Sequence, residues 1–183
     1  MLTPLQTRKL TRLFVVLDAD RDNALERSDY DEIVANLAKI RGWSRGSAEY
    51  AVLEALYIRI WEELKRLADT SGDGRVGLRE FLDFHDLMLG TSALHEQITL
   101  ATVDLLFQAF DRDQDGYVSL DDFRMFFAAY RIRDRAVADE AFRKLDVERR
   151  GRISRTDATD RVQEFYFSDS FDAPGNWLFG PFD

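Results

Sequence analysis

The feature that most limits how this 183-residue chain can fold is a twelve-residue spacing of acids that recurs along it. Residues 111–122 read D-R-D-Q-D-G-Y-V-S-L-D-D. Asp111, Asp113 and Asp115 stand at positions 1, 3 and 5, Gly116 at 6, Val118 at 8 and Asp122 at 12. Residues 69–80 repeat the spacing with Asp69, Ser71, Asp73, Gly74, Val76 and Glu80. Residues 18–29 repeat it with Asp18, Asp20, Asp22, Asn23, Leu25 and Asp29. The three windows hold 13 acids and five bases, which leaves 21 acids and 20 bases elsewhere. Nearly all of the net charge of −9 therefore sits in three short segments. Solvated helix faces would mix the signs. Like charges this close repel unless a cation sits among them.

This is the spacing of the EF-hand calcium loop. Side chains 1, 3 and 5 converge as the chain curls, and glycine at 6 permits the left-handed turn that reverses it. The carbonyl at 7 and the side chain at 9 add oxygens, the latter directly or through water, and position 12 closes the shell. The expected ligands are Asp18, Asp20, Asp22, Ala24, Glu26 and Asp29 in loop 1. They are Asp69, Ser71, Asp73, Arg75 and Glu80 in loop 2, where Gly77 leaves position 9 to water. In loop 3 they are Asp111, Asp113, Asp115, Tyr117, Ser119 and Asp122. Asn23 replaces glycine at position 6 of loop 1 and tolerates the left-handed turn next best. Asp at position 12 is one methylene shorter than Glu, so loops 1 and 3 are expected to accept Mg2+ as well as Ca2+.

Residues 146–157 form a fourth, altered window. Asp146, Glu148, Gly151, Ile153 and Asp157 hold positions 1, 3, 6, 8 and 12, but position 5 is Arg150. A guanidinium facing the shell repels calcium. Loop 4 is expected to be intact but metal-free or very weak, with Arg150 as an internal counterion for Asp146 and Glu148. Acidic turns between helices would explain one such window, since Asp and Gly are ordinary turn residues. Four windows, each with an aliphatic residue at position 8, go beyond that explanation.

Apolar residues at helical spacing flank each loop. Thr3-Pro4 opens a helix carrying Leu10, Leu13, Phe14 and Leu17, and Tyr30, Ile33 and Leu37 continue to Gly42. Ser44 is expected to start a long helix with Leu53, Leu56, Ile60, Leu64 and Leu67 on one side. Phe81, Phe84, Leu87 and Met88 form the next face. Thr91 or Ser92 caps a helix with Ile98, Val103, Phe107 and Phe110. Phe123, Phe126, Phe127 and Tyr130 follow loop 3, Phe142 and Leu145 enter loop 4, and Val162, Phe165 and Tyr166 leave it. The expected fold is all-α: four helix-loop-helix units in two paired lobes, 1–90 and 91–183, packed into one globule. Leu25 is expected to bridge to Val76, and Val118 to Ile153. The tail, 168–183, is rich in Phe, Trp and Leu; it is expected to fold back and plug the cleft a sensor would offer a target.

The whole chain resembles the sarcoplasmic calcium-binding protein family, including its bacterial calerythrin-like members. The resemblance rests on four loops with a long first gap, one altered loop and an apolar tail. It implies a compact globule and calcium buffering, with ligands at positions 1, 3, 5 and 12 of loops 1, 2 and 3. The runner-up is a calcium sensor that regulates a protein target. A sensor opens a Met-rich groove, whereas this chain has three methionines and a Phe-rich core. A photoprotein-like luciferin site is not expected with only His85 and His95, each read as an ordinary surface or helix residue. No cysteine, nucleophile–base set or phosphate loop argues for an enzyme. An acidic chain is expected to avoid nucleic acid. A cytoplasmic monomer without a membrane span completes the expectation.

Overall fold

The computed structural model describes residues 1–111 and 113–182, apart from the side chains of residues 92–94 and 98. Eight helices bracket the four loops: α1 (Pro4–Leu17), α2 (Arg27–Arg41), α3 (Ala48–Ala68), α4 (Leu78–Leu89), α5 (Ser92–Phe110), α6 (Leu120–Ala129), α7 (Arg135–Leu145) and α8 (Arg155–Phe167). Local chemistry sets their ends. The Thr3 hydroxyl accepts from the Gln6 N–H while the Gln6 side chain returns to the Thr3 N–H, and Pro4 lacks the N–H a first turn would leave unpaired. Gly42 ends α2 at φ +71°, a conformation that costs other residues more.

Each loop contributes a short strand: β1 (Ala24–Leu25), β2 (Val76–Gly77), β3 (Tyr117–Ser119) and β4 (Arg152–Ser154). β1 pairs antiparallel with β2 and β3 with β4. The partners are Leu25 with Val76 and Val118 with Ile153, as the position-8 residues predict. All four side chains are buried, so each bridge also plugs the base of its loop pair.

One apolar core runs through both halves. α2 packs on α6, and α1 packs on both α4 and α8. Phe123, Phe126 and Phe127 are all buried on α6, as the i, i+3, i+4 spacing requires. Burying each contributes about 1.5–3 kcal/mol. The buried Tyr57 and Tyr130 hydroxyls meet at 2.8 Å and join the halves. Nearby, Asn36 donates to the Ala129 carbonyl and Arg41 to that of Ala109.

Several expectations shift. α3 starts after Ser47, whose hydroxyl accepts from the Tyr50 N–H, and Ser44 lies in the preceding turn. Tyr50, Leu53, Tyr57, Trp61 and Leu64 form the buried face of α3, while Leu56 and Ile60 are half-buried and Leu67 is exposed. The rings win the core because they carry more apolar area, and Trp61 meets Tyr30 with centroids 5.5 Å apart. Leu87 also points outward. Thr91 precedes α5, but its hydroxyl donates back to the Leu87 carbonyl in the last turn of α4 and makes no cap bond to α5. The side chains of Ser92 and Ile98 lie outside the described residues.

The tail folds back. After α8 the chain makes a 3-10 turn at Pro174–Trp177, with Gly175 pressed against the Arg161 carbonyl where a Cβ would come within 2.1 Å. Leu178 and Phe179 are buried. The Phe179 ring meets Phe165 at 5.1 Å, edge to face. Arg12 of α1 donates to the Phe179 carbonyl at 2.9 Å. Lys9, fully buried on α1, donates to the Glu164 and Ser168 carbonyls at 2.9 Å each. Burial lowers its pKa to about 8, against the pull of Asp169 and Glu164.

Candidate metal centres

All four loops share one backbone design. Position 6 takes a positive φ in each: Asn23 at +68°, Gly74 at +85°, Gly116 at +83° and Gly151 at +73°. Its N–H donates to the position-1 carboxylate, at 3.1 Å to Asp18, 3.0 Å to Asp69, 3.0 Å to Asp111 and 2.7 Å to Asp146. That bond curls the loop around its first acid. Position 4 is left-handed too, at Arg21, Gly72, Gln114 and Arg149. Sequence reasoning missed this second turn, and Gly72 was the one residue that signalled it. The three non-glycines cost roughly 1 kcal/mol or more each.

The position-12 acids close the loops from the first turn of the following helix. Asp29 accepts from the Ala19 and Glu26 N–H groups, both at 2.7 Å. Burial pushes its pKa up, and Asp20 and Asp18 add to the rise against those two donors. Glu80 accepts from the Thr70, Ser71 and Gly77 N–H groups, and the Gly77 bond leads in holding its pKa below the usual carboxylate value. Asp122 accepts from the Ser119 N–H and hydroxyl. Ser119 thus works first as the N-cap of α6. Glu26 stands likewise at the N-cap of α2. Ala24 and Tyr117 open β1 and β3, and Arg75 immediately precedes β2.

Among the described residues, two sets of acids converge. In loop 1, Asp18, Asp20 and Asp29 each bring a carboxylate oxygen within 4.8 Å of the others. In loop 3, Asp111, Asp113 and Asp115 do the same. Asp111 Oδ1 is buried there without a hydrogen-bond donor, an acceptor that a cation would satisfy. These donor sets fit a hard divalent ion that takes six to eight oxygens. Loop 2 has two acids at positions 1 and 5, with the Ser71 hydroxyl between them, 3.3 Å from Asp69. Asp22 of loop 1 is not among the converging set; its first oxygen accepts from the Ala24 N–H and its second meets the Arg75 guanidinium of loop 2. That contact spans 53 residues and carried no signal in the sequence.

Loop 4 holds an internal cation. Arg150 Nη2 donates to Asp157 Oδ1 and Oδ2 at 2.7 and 2.6 Å, and Nη1 lies 3.3 Å from Glu148. The expected partner Asp146 is instead held by the main-chain N–H groups of Arg150 and Gly151. The guanidinium reaches across the loop because position 5 faces position 12. Burial pushes the Asp157 carboxyl up, but the Ser154 hydroxyl and N–H with Arg150 hold it below the usual range.

Between the halves lies a cleft of ≈ 500 Å³, lined by Leu56, Ile60, Tyr57, His85, Tyr130 and Tyr166 among others. His85, on α4, is one of the residues that line this cleft. Its Nδ1–H donates to the Phe81 carbonyl at 2.7 Å and its ring stacks near Tyr166, and burial lowers its pKa to about 4. His95 packs on Phe167 with centroids 4.1 Å apart. Among the described residues no helix is long and apolar enough to cross a membrane.

Residues 82–130 match the EF-hand domain pair family. Calerythrin of Saccharopolyspora erythraea is 24% identical over 169 residues, 91% of this chain and 95% of that protein. Luciferin-binding protein of Renilla reniformis is 28% identical over 180 residues, 94% of this chain and 92% of that protein. The solved structure of a sarcoplasmic calcium-binding protein from amphioxus superposes with a TM-score of 0.77 at 20% identity, covering 99% of both chains. The fold is thus that of the EF-hand sarcoplasmic calcium-binding proteins.

Proposed function

We propose that this chain, an EF-hand protein of the sarcoplasmic calcium-binding protein and calerythrin type, binds calcium in loops 1, 2 and 3 and serves as an intracellular calcium buffer. The observation that carries the reading is loop 3: three convergent carboxylates around the buried, unpartnered Asp111 Oδ1. The ligands are the residues at positions 1, 3, 5 and 12, joined by the carbonyls of Ala24, Arg75 and Tyr117 and by Glu26 and Ser119 at position 9. Asp29 and Asp122, being shorter than Glu80, leave loops 1 and 3 open to Mg2+. Loop 4 stays free of metal, with Arg150 as its cation. Three bound ions add six charges to a net −9, and the relief of self-repulsion stabilises the holo protein.

Buffering is favoured over sensing because the tail already fills the place of a target. Leu178 lines the apolar cavity of the C-terminal half with Phe107, Phe110, Phe123 and Leu145. The test is a calcium titration of chelator-treated protein followed by an apolar-surface dye. Dye signal should fall as the core closes, with three ions bound per chain. A rise would mean that calcium exposes a groove, and the sensor reading would replace this one.

A second reading rests on the ≈ 500 Å³ cleft: binding of an apolar small molecule between the halves, alongside the Renilla relative, which is named a luciferin-binding protein. Dye that stays bound in the calcium-saturated protein and is expelled by Ile60→Trp would support it.

A further inference from the structure

Loop 1 contains one more partner than its own twelve residues. The Arg75 side chain leaves loop 2, crosses the β1–β2 bridge and lies against two acids of loop 1. Its Nη2 pairs with Asp22, and its Nε stands 2.6 Å from Glu26 Oε1, a charge contact without a hydrogen bond. These are positions 5 and 9 of loop 1. The remaining acids, Asp18, Asp20 and Asp29, converge without Asp22. Loop 4 repeats the arrangement within a single loop, where Arg150 takes Glu148 and Asp157. Among the described residues, no basic side chain pairs with Asp69, Asp73 or Glu80 of loop 2, or with Asp111, Asp113, Asp115 or Asp122 of loop 3.

We propose that Arg75 is a tethered competing cation: its guanidinium neutralises Asp22 and Glu26 and must be expelled before loop 1 takes its ion, so loop 1 fills last of the three. A guanidinium satisfies planar carboxylates through a fixed fork and stays charged at every relevant pH. Calcium needs the same two side chains, pointed at one centre. Each acid must turn the oxygen that now faces the guanidinium toward the ion, so the two cations compete for it. The main-chain carbonyl of Arg75 belongs to loop 2, so the same residue serves one site through its backbone and opposes the other through its side chain. Arg75 is a positioning residue here, and the inference rests on calcium being the ion of these loops.

The test uses the full chain and NMR. The N–H groups of Asn23, Gly74 and Gly116 each donate to the first acid of their own loop, so each reports its own site. Calcium is titrated into wild type, Arg75→Gln, Arg75→Lys and the control Arg79→Gln. Arg79 is almost fully exposed, meets Asp83 of its own helix and touches no loop 1 acid, so it carries the charge change alone. The expected result is a roughly tenfold gain of loop 1 affinity in Arg75→Gln, the size of losing a paired, half-exposed charge. Arg79→Gln should shift it less than about threefold, the screened effect of a distant charge. Arg75→Lys keeps the charge without the fork and should fall between, which also covers a glutamine variant that folds poorly. A gain in affinity is an outcome that structural damage does not give. The inference is overturned if Asn23 responds no more to Arg75→Gln than to Arg79→Gln, or if loop 1 of the wild type fills before loop 2. If no loop of the wild type responds to calcium, the proposed function itself fails, and the two failures are told apart by that one titration.

Discussion

Replacing Arg150 with aspartate should turn loop 4 from a self-neutralised turn into a fourth ion site, and the effect on stability should change sign with calcium. Position 150 faces Asp157, and the guanidinium bonds both of its oxygens. Arg150 is 42% exposed and Asp157 25%, so losing the pair costs about 1 kcal/mol after solvent screening. A new carboxylate beside Asp146, Glu148 and Asp157 adds repulsion of about the same size. Without calcium the variant should therefore lose about 2 kcal/mol, a fall in Tm of about 4–8 °C for a chain of this length. With calcium at about 100 times the Kd of the new site, binding returns about 2.7 kcal/mol. The ions in loops 1, 2 and 3 stabilise wild type and variant alike and cancel in the comparison. The variant should then melt slightly above wild type. Thermal melts in chelator and in calcium check the sign, and isothermal titration checks that the number of ions rises by one. If the number of ions stays the same and the variant melts lower under both conditions, position 150 does not control loop 4.

Other perturbations read other parts of the fold. Leu178→Ala should cost about 2–4 kcal/mol, because the side chain is buried in the C-terminal half, and deletion of 171–183 should cost more; denaturant unfolding measures both. Tyr57→Phe and Tyr130→Phe should each cost about 1–2 kcal/mol by leaving the other hydroxyl buried and unpaired, and the double variant should cost less than their sum. His85 has a folded pKa of about 4 against 6.5 when exposed, so its neutral form gives stability that is present above pH 6.5 and lost as pH falls toward 4. The loss should reach about 2–3 kcal/mol, and His85→Phe should flatten that part of the stability–pH curve relative to wild type.

The loops were legible in the sequence because ion coordination demands particular atoms at particular positions. Asp111, Asp113, Asp115 and Gly116 could be read letter by letter, and so could the Leu25–Val76 and Val118–Ile153 bridges. Composition also indicated that Leu178 and Phe179 would leave water. What escaped reading depended on distance along the chain or on competition among apolar residues. Leu67 and Leu87 fit a helical stripe, yet larger rings such as Trp61 and Phe81 took the core. The Arg75–Asp22 contact and the place of His85 in the cleft arise only when separate helices meet. Arg150 was read as a counterion for Asp146 and Glu148; it does meet Glu148, but its second partner is Asp157 and not Asp146.

The bonds from α1 to the end of the chain have a kinetic consequence. Gln6, Lys9 and Arg12 reach carbonyls 155 to 167 residues further on. On a ribosome the first helix is made long before those acceptors exist, and the part of its apolar face that α8 covers stays bare until then. Loop closure over such a span slows folding relative to a bundle built from neighbouring helices. The first pair of loops therefore completes its packing only once α8 and the 3-10 turn have been made. During that interval the nascent first half is the part most in need of a chaperone.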